Sequence, residues 1–323
     1  MPESSVAALE KPAPEKRRRD IHPGDVIFSN VLRIFALALP VVLILIALFL
    51  LRAAWPSITR FGFAFVTSSV WDPVREIFGS APVIYGTIVS SLLAIGIGGP
   101  IGVGIALALT DLLPRTAAKV LGFLVEMLAA IPSVVYGLWG IFVLAPWLRT
   151  TVEPFLAKTL GFLPFFQGPA YGVGMLAAGV ILAIMIIPTI SSLSREVFNS
   201  IPRAQREAAL AIGATRWEMM RLSVLGSAKS GVFGAIILGL GRALGETMAV
   251  TMVIGNRAQI SASLFAPGQT MSSVLANEYA EATSDFHLAA LMEIGLVLFA
   301  VTFIINALAR LFVWRSTLGR SPR

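Results

Sequence analysis

Long uncharged apolar runs separated by short polar stretches dominate this chain of 323 residues. Six runs reach the roughly 20 residues that a helix needs to cross the hydrocarbon core. They lie at about 30–52, 82–109, 118–145, 170–193, 230–254 and 287–311. They are apolar on every face, whereas strands of a membrane barrel alternate apolar and polar over about 10 residues. The pattern predicts an all-α polytopic membrane protein with six transmembrane helices. Pro100, Pro132 and Pro188 fall inside runs, and proline loosens a helix. Membrane helices tolerate this where neighbours satisfy the freed carbonyls.

Composition agrees, with 56% hydrophobic and only 13% charged residues, against about a quarter charged in soluble domains. The net charge of +7 suggests nucleic acid only until the basic residues are placed. With the N-terminus inside, inner segments hold Lys11, Lys16 to Arg19, Arg115, Lys119, Arg195, Arg203, Arg206, Arg216, Arg221, Lys229, Arg310, Arg315, Arg320 and Arg323. Outer loops 53–81, 146–169 and 255–286 hold far fewer. This bias predicts both termini in the cytoplasm and a lipid bilayer, not nucleic acid, as the partner of the basic residues. The expected organisation is a basic cytoplasmic tail over 1–28, a six-span permease domain over 29–313 and a short cytoplasmic tail over 314–323. A signal peptide competes for the N-terminus, but the uncharged run Ile34–Leu51 is longer than a typical h-region and no small-residue cleavage site follows. An uncleaved first span is expected. The first outer loop carries Trp55, Phe61, Phe63, Phe65 and Trp71, read as an interfacial belt or simple packing, or as a shelf that meets a partner protein.

The stretch Glu196–Met252 departs most from this pattern. Its first half belongs to the long inner loop 194–229 and is amphipathic. Pro202 can start a helix, since a first turn needs no N–H there. Gly213 should break that helix. Thr215 then reads as an N-cap, with Glu218 at the capping-box spacing. Two short helices joined at a glycine would form a knob, and small residues such as Ala208, Ala209 and Ala211 would let another protein surface approach. An amphipathic connector lying on the membrane is the alternative reading.

The second half crosses the membrane with Arg242 and Glu246 inside it. Four residues apart, the two should share one helical face. A charge at mid-membrane costs about 2.5–3.5 kcal/mol on insertion scales and normally faces a bundle interior or an aqueous path. The pair is either a structural brace or an anion site. In the second case the Arg fork suits a tetrahedral oxyanion, and Glu246 moderates the attraction. The carboxylate can also accept the proton of a partly protonated phosphate, which sulfate lacks. Gly241 and Gly245, like Gly98 and Gly102, have the spacing that lets membrane helices approach closely. Glu126 and Glu293, also inside spans, could line the path or serve packing.

Other chemistry has little support. With no Cys and only His22 and His287, no thiolate or histidine metal cluster is expected. No Ser-His-Asp set is evident. The run Ser227-Ala228-Lys229-Ser230 lacks the glycine that a nucleotide-binding loop places before its Lys. The chain is not expected to be an enzyme, and any ATP must be bound elsewhere.

Glu207-Ala208-Ala209, Gly213 and Leu225 resemble the EAA loop of ABC importer permeases, with Ser223 and Gly226 departing from its downstream half. The run Gly241-Arg242-Ala243-Leu244-Gly245-Glu246-Thr247-Met248-Ala249-Val250 resembles the PstC family, permease subunits of bacterial phosphate ABC importers. So do Ile131 to Gly140 and Tyr85-Gly86-Thr87. The resemblance covers about residues 28–312. It implies the type I importer permease fold in the bacterial inner membrane, and phosphate as the substrate. The implied partners are a PstA-like permease forming a heterodimer, a PstB-like ATPase dimer that holds ATP and Mg, and a periplasmic PstS-like phosphate-binding protein. It implies ATPase docking by Glu207, Ala208, Ala209 and Gly213, and roles in transport for Arg242 and Glu246. A sulfate or molybdate permease, and an ATP-independent anion transporter or channel, are the alternatives.

Overall fold

The computed structural model describes residues 23–318, so the basic run Lys16 to Arg19, His22, Arg320 and Arg323 lie outside the described residues. The chain forms two units, Met1–Leu48 and Phe49–Arg323. The described part of the first unit is the opening of helix α1 (Pro23–Phe61). The remaining helices of six residues or more belong to the second unit. They are α2 (Ala81–Leu112), α3 (Arg115–Ala130), α4 (Ser133–Leu160), α5 (Met175–Asn199), α6 (Arg203–Ala211), α7 (Arg216–Gly245), α8 (Met248–Val253), α9 (Met271–Glu278) and α10 (Asp285–Leu318). Six of these, α1, α2, α4, α5, α7 and α10, are long and apolar enough to cross a membrane. The protein is an all-α, six-span membrane protein.

Two expected spans are corrected. The run 118–145 is not one helix. Ile131 and Pro132 take extended backbone, with ψ of 129° and 142°. A proline lacks the N–H of the helix ladder and disfavours helical backbone in the residue before it. The crossing helix is therefore α4, which runs well into the expected outer loop 146–169. Pro146 and Pro154 do not stop it, because each sits in the first turn after a π-helical stretch, Gly140–Leu144 and Leu148–Val152. The fifth span also shifts. It begins at Arg216, so the second short helix expected in the inner loop is the first turn of α7, and it ends at Gly245 rather than running to 254.

α5 is the most buried of the six and forms the central layer. Its Ile181, Leu182, Met185, Ile186 and Ile190 pack with Leu144 and Leu148 of α4 and with Val250 and Val253 of α8. α2 lies along α5 because small residues let it. A Cβ on Gly98 would stand 2.9 Å from the Ala183 carbonyl oxygen, and one on Gly102 would stand 3.0 Å from Ile190. The corresponding pair on α7 does not work this way. Gly241 has only Asn306 nearby, at 3.7 Å, and a Cβ on Gly245 would meet nothing within 4 Å.

Smaller cores close the two ends of α2. At one end Phe198, Ile201, Met219, Met220 and Val224 surround Ala106. At the other, Phe65, Phe78, Met271 and Leu291 gather around Val83. A two-residue hairpin, β1 (Trp71–Asp72) and β2 (Ile77–Phe78), sits there with Trp71 opposite Phe78. The aromatic loop therefore divides. Phe61, Phe65 and Trp71 pack with Phe78 and Phe286, whereas Trp55 and Phe63 are exposed. The Trp71 indole donates to Glu278 at 2.9 Å, and Phe78 stacks on His287 with centroids 5.4 Å apart.

The α2–α5 contact gives a stability test. Gly98→Ala forces a methyl group against a carbonyl that cannot move aside, and should cost about 1–3 kcal/mol. Gly104→Ala, where nothing lies within 4 Å, should cost nothing. Thermal unfolding in detergent checks this, and equal midpoints for the two variants would contradict the packing described.

Candidate functional site

An irregularity lies where α7 stops. Gly245 ends the helix, Glu246 takes extended backbone with φ −68° and ψ 128°, and α8 restarts at Met248. A break at membrane depth is tolerated only where protein satisfies the freed groups. The Ser272 hydroxyl donates to the Glu246 carbonyl at 2.8 Å. The Glu246 carboxylate accepts from the Ala249 N–H at 3.4 Å, in the first turn of α8. α8 is held against α4 at two glycines. A Cβ on Gly137 would reach the Met252 sulfur at 2.4 Å, and one on Gly140 would reach Val253 at 2.6 Å.

The break changes the geometry expected for the charged pair. Arg242 lies in the last turn of α7, but Glu246 has left the helix, so the two do not share a helical face. Arg242 donates instead through Nη1 to the Thr189 hydroxyl of α5, at 3.1 Å. It is also close enough to act electrostatically on the Tyr136 hydroxyl, which donates to the Leu128 carbonyl at 2.8 Å. Among the described residues, no carboxylate stands within ion-pair distance of Arg242. Beside Tyr136, Leu128, Ile131, Val135, Trp139 and Ile184 line an apolar recess of about 320 Å³. Pro188, inside α5, removes one ladder donor next to Thr189, and the Ser191 hydroxyl bonds its carbonyl at 3.1 Å.

A guanidinium whose neighbours are hydroxyls keeps most of its charge uncompensated. In an apolar surrounding such a group attracts an anion more strongly than one already paired with a carboxylate. Thr189 and Tyr136 were missed in the sequence. A lone Thr or Tyr in an apolar run carries no signal until the fold brings it to an arginine.

The other two acids expected inside spans lie elsewhere, and α3, which carries Glu126, is not one of the six spans. Glu126 on α3 is mostly exposed and pairs with Arg195 of α5 at 3.7 Å, a partner the sequence did not suggest. The Arg195 side chain lies over Gly122, where a Cβ would stand 2.6 Å from its Nη1. Glu293 on α10 is buried, with Ser57 of α1 beside it. Neither is brought to Arg242.

The inner loop forms a helical hairpin. α6 follows Pro202, which takes extended backbone as the N-cap rather than entering the first turn. Gly213 turns the chain with φ +90°, a conformation in which glycine alone is free of strain. Thr215 and Glu218 form the full capping box. The Ser223 hydroxyl donates to the Gln205 carbonyl at 3.1 Å, tying the limbs together. Glu207, Ala208 and Gly213 are exposed, while Ala209 turns toward the Phe198 cluster. Ile212, Trp217 and Leu222 are 87%, 61% and 70% exposed. Exposed apolar surface of this kind marks a contact with another protein or with the membrane surface.

Comparison with known proteins follows from this geometry. Residues 98–317 match the family described as "Binding-protein-dependent transport system inner membrane component". The chain is 46% identical to the "Phosphate transport system permease protein PstC" of Mesorhizobium japonicum, over 90% of each chain. It is 42% identical to the protein of that name in Pasteurella multocida, over 93% of this chain and 95% of that one. It is 40% identical to "PstC 2" of Mycobacterium tuberculosis, over 90% of this chain and 92% of that one. Among solved structures, a bacterial alginate ABC transporter in complex with a pentasaccharide-bound periplasmic protein aligns with TM-score 0.61. It is 16% identical and covers 91% of this chain and 97% of that one. The MetNI methionine ABC transporter aligns with TM-score 0.51 at 19% identity, over 74% of this chain and 94% of that one.

The turn at Gly213 can be tested alone. A Cβ there meets nothing within 4 Å, so Gly213→Ala costs only backbone strain, about 1–2 kcal/mol. Hydrogen exchange of the α6 amides should quicken by about tenfold. Unchanged exchange would show that the hairpin does not depend on this turn.

Proposed function

The chain belongs to the family of binding-protein-dependent transport system inner membrane components, and from that premise we propose how its geometry moves phosphate. It is the permease subunit of a phosphate ABC importer, a multi-pass protein of the inner membrane. Our reading places both termini and the α6 hairpin in the cytoplasm. A related permease completes the translocation path, a dimeric ATPase binding ATP and Mg docks on the hairpin, and a periplasmic phosphate-binding protein delivers the substrate.

One observation carries the anion path. Arg242 stands at the broken end of a membrane helix, with hydroxyl neighbours and no carboxylate within ion-pair distance among the described residues. An arginine fork forms two parallel hydrogen bonds to a tetrahedral oxyanion. Thr189 gives up its bond from Arg242 to the anion and can then donate its own proton. Glu246, unpaired with Arg242, stands just beyond the break. Hydrogen phosphate brings an O–H donor to that carboxylate, and sulfate brings none, so the same two residues attract one anion and disfavour the other. A hydrogen bond from the anion to the half-buried Glu246 carboxylate contributes about 1.5 kcal/mol, enough for about a tenfold preference.

The exposed apolar surface at Ile212, Trp217 and Leu222 supports docking by a protein rather than by solvent alone. ATP closes the partner dimer, the hairpin follows, and the helices open toward the binding protein. Hydrolysis resets them. Uptake of labelled phosphate by the assembled complex tests this reading. Arg242→Gln should lower it at least about a hundredfold while pull-down shows the ATPase still bound. Uptake kept near wild type would make Arg242 a structural brace. Wild-type uptake that persists without the ATPase would establish an ATP-independent anion transporter instead.

A further inference from the structure

The α6 hairpin touches the rest of the protein through few contacts, and one of them differs in kind. Arg206, in α6, reaches back under the bundle. Its Nη1 bonds the Asp111 carboxylate and its Nη2 donates to the Phe198 carbonyl. Asp111 belongs to the π-helical stretch Ala108–Leu112 that ends α2, closed by the Leu113 N–H on the Ala108 carbonyl at 3.0 Å. Phe198 is fully buried near the end of α5. One guanidinium thus ties the hairpin to the ends of two membrane helices. The contact is enclosed, with the side chains 18% and 6% exposed. Asp111 Oδ2 and Arg206 Nε are buried with no hydrogen-bond partner.

Such a pair is a poor way to gain stability, because desolvating both charges offsets their attraction. Its distinguishing property is direction. Apolar contacts slide, whereas a guanidinium bonded to a carboxylate and a carbonyl at once holds one geometry. The other links of α6 are looser: Gln205 meets Ser223 and Ser227, which lie on α7 beside it, and Ala209 is only half-buried. Asp111 and Phe198 are the ends of the two helices that pack together most closely. α5 then runs unbroken from Phe198 to Thr189, about 14 Å at 1.5 Å per residue, and Thr189 holds Arg242.

We propose that Arg206 and Asp111 are the positioning pair that makes the hairpin move as one body with α2 and α5, so that a displacement imposed on the hairpin reaches the Arg242–Thr189 contact. The proposal rests on the importer reading above. It assigns these residues no contact with the anion. Loss of the pair should leave the ATPase docked and hydrolysing while the path fails to follow.

The experiment uses the complete importer in proteoliposomes, with binding protein, ATP and labelled phosphate, and reads phosphate delivered per ATP hydrolysed. Asp111→Asn keeps the size and removes the charge, and Arg206→Gln removes the other partner. Each should lower the ratio about tenfold, with hydrolysis within about threefold of wild type and assembly intact by pull-down. The double variant should be no worse than either single one, as expected for groups that act as a pair. An unchanged ratio would overturn the proposal. So would an equal fall in uptake and hydrolysis, a multiplicative loss in the double variant, or failure to assemble, each of which makes the pair a folding element only. The importer reading is judged separately, from wild type alone, and fails if uptake needs no ATPase.

Discussion

Lipid offers no hydrogen bonds, so a helix that breaks at membrane depth must find every lost partner within the protein. That constraint shapes the centre of this structure. α7 ends at Gly245, the Glu246 carbonyl is taken up by the Ser272 hydroxyl of α9, and the Glu246 carboxylate accepts the Ala249 N–H in the first turn of α8. α8 in turn needs a wall to lean on, which Gly137 and Gly140 of α4 supply by having no side chains. The break also separates Glu246 from Arg242. An unbroken helix would have left the two charges side by side, neutralising one another. The interruption leaves the guanidinium with Thr189, and an anion can compete for it.

A second constraint concerns how motion could reach that point. α5 is buried along most of its length and interlocked with α2 through Gly98 and Gly102, so the two respond as a unit. Thr189 lies on it near one half of its length and Phe198 at its end. The hairpin presents exposed apolar groups on one side and Arg206 on the other. In the proposed mechanism, a docked partner and the anion would sit at two ends of a stiff connection.

Much of this was legible in the sequence. Helix count, the turn at Gly213 and the Thr215–Glu218 cap follow from uncharged length, from the one residue suited to left-handed backbone, and from a spacing with a defined hydrogen-bond pattern. The failures have physical causes too. Hydropathy sees Ile131-Pro132 and Gly245-Glu246 as parts of apolar runs, yet backbone geometry breaks the helix at both. Arg242 and Glu246 looked like one face only because an intact helix was assumed. Thr189, Tyr136 and Asp111 carry no signal alone. Their roles come from what long-range packing sets beside them, and Arg206 read as one more inner-face cation until Asp111 was seen beneath it.

In the proposed mechanism Arg242 and Thr189 face an aqueous path that phosphate occupies. The natural chain contains no cysteine, so Thr189→Cys places a single thiol beside Arg242. The decisive measurement is its rate of reaction with a charged, membrane-impermeant thiol reagent in the assembled importer. The expected result is reaction in at least one nucleotide state, slowed several-fold by phosphate and not by equal sulfate. A thiol inert in every state, or one indifferent to phosphate, would contradict it.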